Sequence, residues 1–124
     1  KYNIIGISLD PWQGLLLKED LDQAGIPDVK KFIQSHSYYT VAIKECEKLI
    51  ANRTIHHDGN PILRFNADNV VLDLKPGGAC MPSKTHSTEK IDGICAMLMA
   101  LDRSLFSGVK ETPKYQSTGE VLYL

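Results

Sequence analysis

Residues 91–101, Ile91-Asp92-Gly93-Ile94-Cys95-Ala96-Met97-Leu98-Met99-Ala100-Leu101, interrupt an otherwise apolar run with a single charge, Asp92. A helix that is apolar on all sides belongs in a core, so this segment fixes the centre around which the rest of the chain must pack. Burying an ionised carboxylate there costs on the order of several kcal/mol unless a cation or hydrogen-bond donors meet it. A metal ion is one such cation. The other reading places Asp92 on a thin solvent-facing stripe in the first turn, where the helix dipole favours negative charge.

With 124 residues and 43% hydrophobic content, the chain can bury one core and reads as a single domain over 1–124 without an internal linker. From about residue 106 it turns into a polar, flexible tail, whose final Val121-Leu122-Tyr123-Leu124 can dock or add a strand. A formal net charge of −1 excludes a bulk polycation, so any nucleic-acid contact must come from a local basic patch. Cys46, Cys80 and Cys95 lack metal-ligand spacing, and their odd number suggests reduced thiols in a cytosolic setting. No apolar run approaches the roughly 20 residues of a membrane span, and no signal-peptide pattern is present, so no membrane partner is expected. The chain opens directly into a strand pattern, which reads as the start of a fragment.

Residues 2–9 form that strand pattern, followed by Asp10-Pro11, with Asp10 suited to a helix N-cap and Pro11 to its first position. Leu15, Leu16, Leu17 and Leu21 carry the helix to Ala24, with Gly25 as its stop. A short strand follows around Val29–Ile33, then a helix from about Tyr38 to Asn52 with Val41, Ile43, Cys46, Leu49 and Ile50 as its apolar face. Strand, helix, strand, helix implies parallel strands. His56-His57-Asp58-Gly59-Asn60-Pro61 is a cluster of turn formers, and Pro61–Ala67 reads as a short helix. Asn69–Leu74 and Ala79–Lys84 form a hairpin around Lys75-Pro76-Gly77-Gly78. Ser87 as N-cap starts the last helix, which runs to about Leu105. The expected class is α/β, a partial sheet with helices on its faces plus an auxiliary β-hairpin.

Two carboxylates stand at element boundaries. Ligands in open α/β sheets gather outside the carboxyl ends of parallel strands, which is where Asp10 falls, although Asp before Pro is also a good cap. If Asp10 and Asp92 converge, they make the hard-oxygen environment that Mg2+ or Mn2+ prefers. Lys75, Lys84 and Lys90 outnumber the acidic Glu89 between residues 75 and 90, and a hairpin can present them to a phosphate backbone or simply to solvent. His57 and Asn60 are weaker candidates, since adjacent histidines and Asn-Pro are common in solvated turns. Trp12 reads as core rather than as a base-stacking platform. A phosphate-binding G-x-x-x-x-G-K-[ST] loop and a G-x-S-x-G elbow are both absent from these residues, which disfavours an ATPase centre and serine-type covalent catalysis.

Taken in order, Leu9-Asp10-Pro11-Trp12, His57-Asp58-Gly59-Asn60-Pro61-Ile62-Leu63-Arg64, Asn69-Val70-Val71, Lys84 and Glu89-Lys90-Ile91-Asp92-Gly93-Ile94 resemble the nuclease domain of phage terminase large subunits, and Lys114-Tyr115 and Gly119 extend the likeness into the tail. The resemblance implies a ribonuclease H-like fold in which three acidic residues hold two divalent ions, Mg2+ or Mn2+, and cut concatemeric double-stranded viral DNA during packaging. It makes Asp10 the second metal ligand and Asp92 the third, with the first on a strand expected to precede Lys1. Implied partners are double-stranded DNA, the portal protein and the small terminase subunit, in the host cytoplasm. With that first strand missing, an exposed edge favouring self-association and little activity of this chain alone are expected. Two alternatives are a non-catalytic module that touches DNA or portal, and a resolvase- or transposase-type ribonuclease H-like nuclease.

Overall fold

The computed structural model describes residues 3–12, 14–26 and 28–106, so the tail from residue 107 and the docking expected of 121–124 lie outside the described residues. Two strands, β1 (Ile7–Leu9) and β2 (Val29–Lys31), pair in parallel with Ile7 opposite Val29 and Leu9 opposite Lys31. The helix between them, α1 (Gly14–Gln23), makes the parallel geometry reachable. It stops as expected at Gly25, whose φ of 74° is one that glycine adopts without strain. There the Gly25 N–H donates to Asp22 O and the Ile26 N–H to Leu21 O, a Schellman arrangement.

Helix α2 (His36–Ala51) follows, then α3 (Pro61–Asn69), the antiparallel hairpin β3 (Leu72–Leu74) and β4 (Cys80–Pro82), and α4 (Asp92–Phe106). The hairpin turns through Gly77 and Gly78, at φ of 90° and 83°. Thr40 fastens it to α2, with its Oγ1 accepting from the Cys80 N–H at 2.9 Å. The strands are shorter than the sequence suggests. In β1 the ladder extends only as far as β2 supplies partners, and Asn69 belongs to α3, its side chain donating to Phe65 O.

The core gathers where α2 crosses α4 and β4. Phe32, Tyr39, Ala42, Ile43, Cys46, Cys80 and Leu98 form one buried cluster, with Phe32 and Tyr39 edge-on at 5.0 Å. Ile91, Ile94 and Cys95 form a second under α3. Cys46 and Cys95 are core residues, as their helical spacing implies. At the far end of α4, buried Arg103 pairs with Asp28 just before β2, crossing close to Gly6.

Three expectations are corrected. Trp12 is 82% exposed rather than core, because the chain between β1 and α1 runs over the surface. Asp10 does not cap α1, which begins only at Gly14; its Oδ1 instead accepts the Trp12 N–H at 3.0 Å in an Asx turn. Ser87 does not cap α4, because its hydroxyl is committed to Ser83 O and to the Val71 N–H.

Candidate metal and nucleic-acid site

Asp10 lies immediately beyond β1, and Gln34 lies three residues beyond β2, so the two parallel strands deliver both side chains to the same end of the sheet. Gln34 Nε2 donates to Asp10 Oδ2 while Trp12 N–H holds Oδ1, so each carboxylate oxygen has a donor. Tyr39 of α2 also feels the charge of this carboxylate. Its phenol is pushed far above the usual range, first by burial, then by Cys95, and further by the charge of Asp10.

Asp92 opens α4 with its side chain 68% exposed, so the buried-carboxylate reading fails and the solvent-facing stripe is correct. The stripe continues one and two turns on through Ala96 and Ala100, both exposed. Lys84 Nζ meets Asp92 Oδ1 at 3.0 Å. The hydrogen bond to Asp92 raises the lysine above its ordinary value; partial desolvation opposes this, while the field of Asp92, then that of Cys95 and last that of Asp10 add to it. One ammonium therefore registers both carboxylates. Below them the Cys95 thiol is pushed up, chiefly by burial, with Tyr39 and Lys84 acting against the rise.

The first turn of α4 is positioned from outside the helix. Buried Asn66, in the middle of α3, accepts the Gly93 N–H on its Oδ1 at 2.6 Å and donates through Nδ2 to Ile62 O at 3.0 Å. A Cβ on Gly93 would stand 2.9 Å from that oxygen, so the close approach requires glycine. The His57–Asn60 motif serves the same end. His57 Nδ1 accepts the Gly59 N–H, Asp58 accepts the Asn60 N–H, and Asn60 Oδ1 accepts both the Ile62 and Leu63 N–H groups. This capping starts α3 and thereby sets Asn66. His57 is half-buried against its own turn rather than solvated.

The other lysines divide. Lys75 pairs with Asp73 at 3.4 Å, and Asp73 also holds His36 Nε2 at 2.9 Å. Desolvation pushes the Asp73 carboxyl up, but hydrogen bonds from His36 and Lys75 outweigh it and leave the group below the ordinary value. Exposed Lys90 shares a small cleft of about 160 Å³ with Lys84, Glu89, Ile91 and Asp92. Among the described residues no three His, Cys, Asp or Glu side chains come together as a metal-binding group. Gln34, Asn66 and Tyr39 are absent from the sequence-based candidates. Gln34 carries the same signal as Asp10, a polar residue just past a parallel strand, whereas Asn66 shows only as a poor helix former inside a helix.

A domain of this composition, with parallel strands, a hairpin and acids at the sheet end and the α4 N-terminus, matches one family throughout. The sequence profile of the terminase large subunit endonuclease domain covers residues 1–107, and the chain belongs to that family. Protein YmfN of Escherichia coli K12 is 33% identical over 106 residues, which are 84% of this chain and 23% of that protein. The terminase large subunit of Enterobacteria phage HK97 is 26% identical over 101 residues, 81% of this chain and 20% of the relative. The crystal structure of the HK97 large terminase superposes with a TM-score of 0.74 at 25% identity, covering 82% of this chain and 22% of that one. The chain thus spans under a quarter of the length of these relatives.

Proposed function

We propose that this chain supplies two metal-ligating carboxylates, Asp10 and Asp92, to a ribonuclease H-like endonuclease that cuts concatemeric double-stranded DNA for a phage packaging motor. The observation that carries the reading is one of placement: Asp10 stands just past β1 at the carboxyl end of the parallel pair, and exposed Asp92 at the start of α4 already holds a cation, the Lys84 Nζ at 3.0 Å. Their oxygens are of the hard, anionic kind that Mg2+ or Mn2+ selects, and water, substrate phosphate or a further carboxylate would complete the shell. Asp10 and Asp92 would hold such ions, whose chemistry when bound would be to activate water and stabilise the leaving oxygen.

The chain's own residues do the positioning. Gln34 and the Trp12 N–H fix the rotation of the Asp10 carboxylate, and Asn66 fixes the helix turn that carries Asp92. Lys84, Lys75 and Lys90 offer positive charge to DNA phosphates, with exposed Asn60 at the start of α3 as a further contact, whereas His57 faces its own turn. In the intact packaging machine the implied partners are the portal and the small terminase subunit, in the host cytoplasm. The test is plasmid cleavage with Mn2+ by a complete terminase large subunit carrying this domain. Asp10→Asn and Asp92→Asn should each abolish cleavage while leaving the fold intact; full activity of either removes that residue from the site.

A further inference from the structure

The Lys84–Asp92 pair joins two groups that are each more than half exposed, 58% and 68%. Such pairs contribute little to stability, and water screens them, so separating them is inexpensive. The lysine's backbone, by contrast, is firmly held. Its neighbour Ser83 is buried, donates its N–H to Val71 O at 2.8 Å, bonds His86 Nδ1 through Oγ at 2.8 Å, and accepts on its carbonyl from Ser87 Oγ and N–H. The result is a fixed root with a releasable tip.

The tip also has somewhere to go. Lys84 lies on the wall between two clefts: the small one with Lys90 and Asp92, and a larger one of about 310 Å³ lined by Gln34, Asp73, Ser83 and Thr85. The second cleft, which Met81 and Pro82 also line, is of mixed character and reaches Gln34, the residue that holds Asp10. We infer that Lys84 is a tethered cation that occupies the carboxylate patch in place of a divalent ion and swings toward the neighbouring cleft when that ion binds. The inference rests on Asp10 and Asp92 being metal ligands. It assigns Lys84 the part of a competitor for the metal, a role distinct from phosphate contact.

The experiment is a titration of this chain with Mn2+, reading free ion by electron paramagnetic resonance, with wild type, Lys84→Met, Lys84→Gln, Lys84→Arg, Asp10→Asn and Asp92→Asn compared. Removing a unit charge about 4 Å from a divalent ion in a water-like medium corresponds to roughly thirtyfold tighter Mn2+ binding in Lys84→Met and Lys84→Gln. Lys84→Arg keeps the charge and should bind within about twofold of wild type. If Lys84→Met and Lys84→Gln bind Mn2+ as weakly as wild type, or more weakly, while Asp10→Asn and Asp92→Asn bind less, the competitor role is overturned and the metal site stands. If the two asparagine variants bind like wild type, the metal site itself falls and takes the role of Lys84 with it.

Discussion

Asn66 and Gly93 are locked face to face: the Asn66 Oδ1 accepts the Gly93 N–H at 2.6 Å and fills the space where a Cβ on Gly93 would lie. Asn66→Ala should cost about 1 kcal/mol, because the half-buried Gly93 N–H loses its acceptor. Gly93→Ala should also destabilise, since the added carbon displaces the amide. In the Asn66→Ala background the same Gly93→Ala change should instead gain about 0.5–1 kcal/mol from helix propensity. A double-mutant cycle by urea denaturation measures the coupling, and additive effects would contradict the contact.

Asp92→Asn should leave the stability of the metal-free chain nearly unchanged, within about 1 kcal/mol. The lost carboxylate is exposed, and its ion-pair partner among the described residues, Lys84, is itself solvated. Thermal melts of the two proteins in chelator check this, and a drop of several degrees would show that the pair is structural.

Alkaline pH should unfold the chain progressively. Burial raises the thiol of Cys46 above its ordinary 9.0, and burial likewise raises the phenol of Tyr39. Both groups hold their protons more tightly folded than unfolded, so their stabilising contribution is complete below about pH 9 and is lost as pH climbs toward the folded values. Melting temperatures at about pH 8 and about pH 10.5 should differ, and Cys46→Ala should narrow the difference; a flat profile would refute the assignment.

Asn60→Ala should cost about 1 kcal/mol, the usual worth of a side-chain N-cap, because two N–H groups of the first turn of α3 lose their acceptor. The loss should appear in the midpoint of chemical unfolding without a change in slope.

Among the described residues β1 pairs only with β2, leaving its other edge open beside half-exposed Ile4 and Ile5. That edge borders a groove of about 360 Å³ lined by Ile5, Ile7, Ala96 and Met99. Unprotected apolar edges pair with other chains. Light scattering should show a mass that grows with concentration, and Ile5→Lys should suppress the growth. A single-chain mass at every concentration would show that the edge is covered.

The sequence conveys elements better than it conveys neighbours. Periodicity and turn chemistry place α2, α3 and α4 to within a few residues, and the glycines at 25, 77 and 78 mark real reversals. That the pattern left two readings open at Asp92 has a clear cause. Ala96 and Ala100 count as apolar in a pattern, yet they are small enough to form an exposed stripe on an otherwise packed helix, and the charge lies on that stripe. Pairing across the chain is invisible in a pattern altogether. Nothing near Lys84 in the chain announces Asp92, and α2 buries Tyr39 and Ala42 while Val41 and Ile50 stay exposed, because the angle of packing against α4 decides which face is covered.

Arg103 has a consequence for how the protein is made. Its guanidinium reaches Asp28 just before β2, so the β1–β2 pair and α4 are buckled together by a residue that leaves the ribosome long after the strands do. At ordinary translation speeds the wait is on the order of several seconds. Throughout it, the nascent β1–β2 unit lacks the buckle that ties it to α4 and is held by its own ladder.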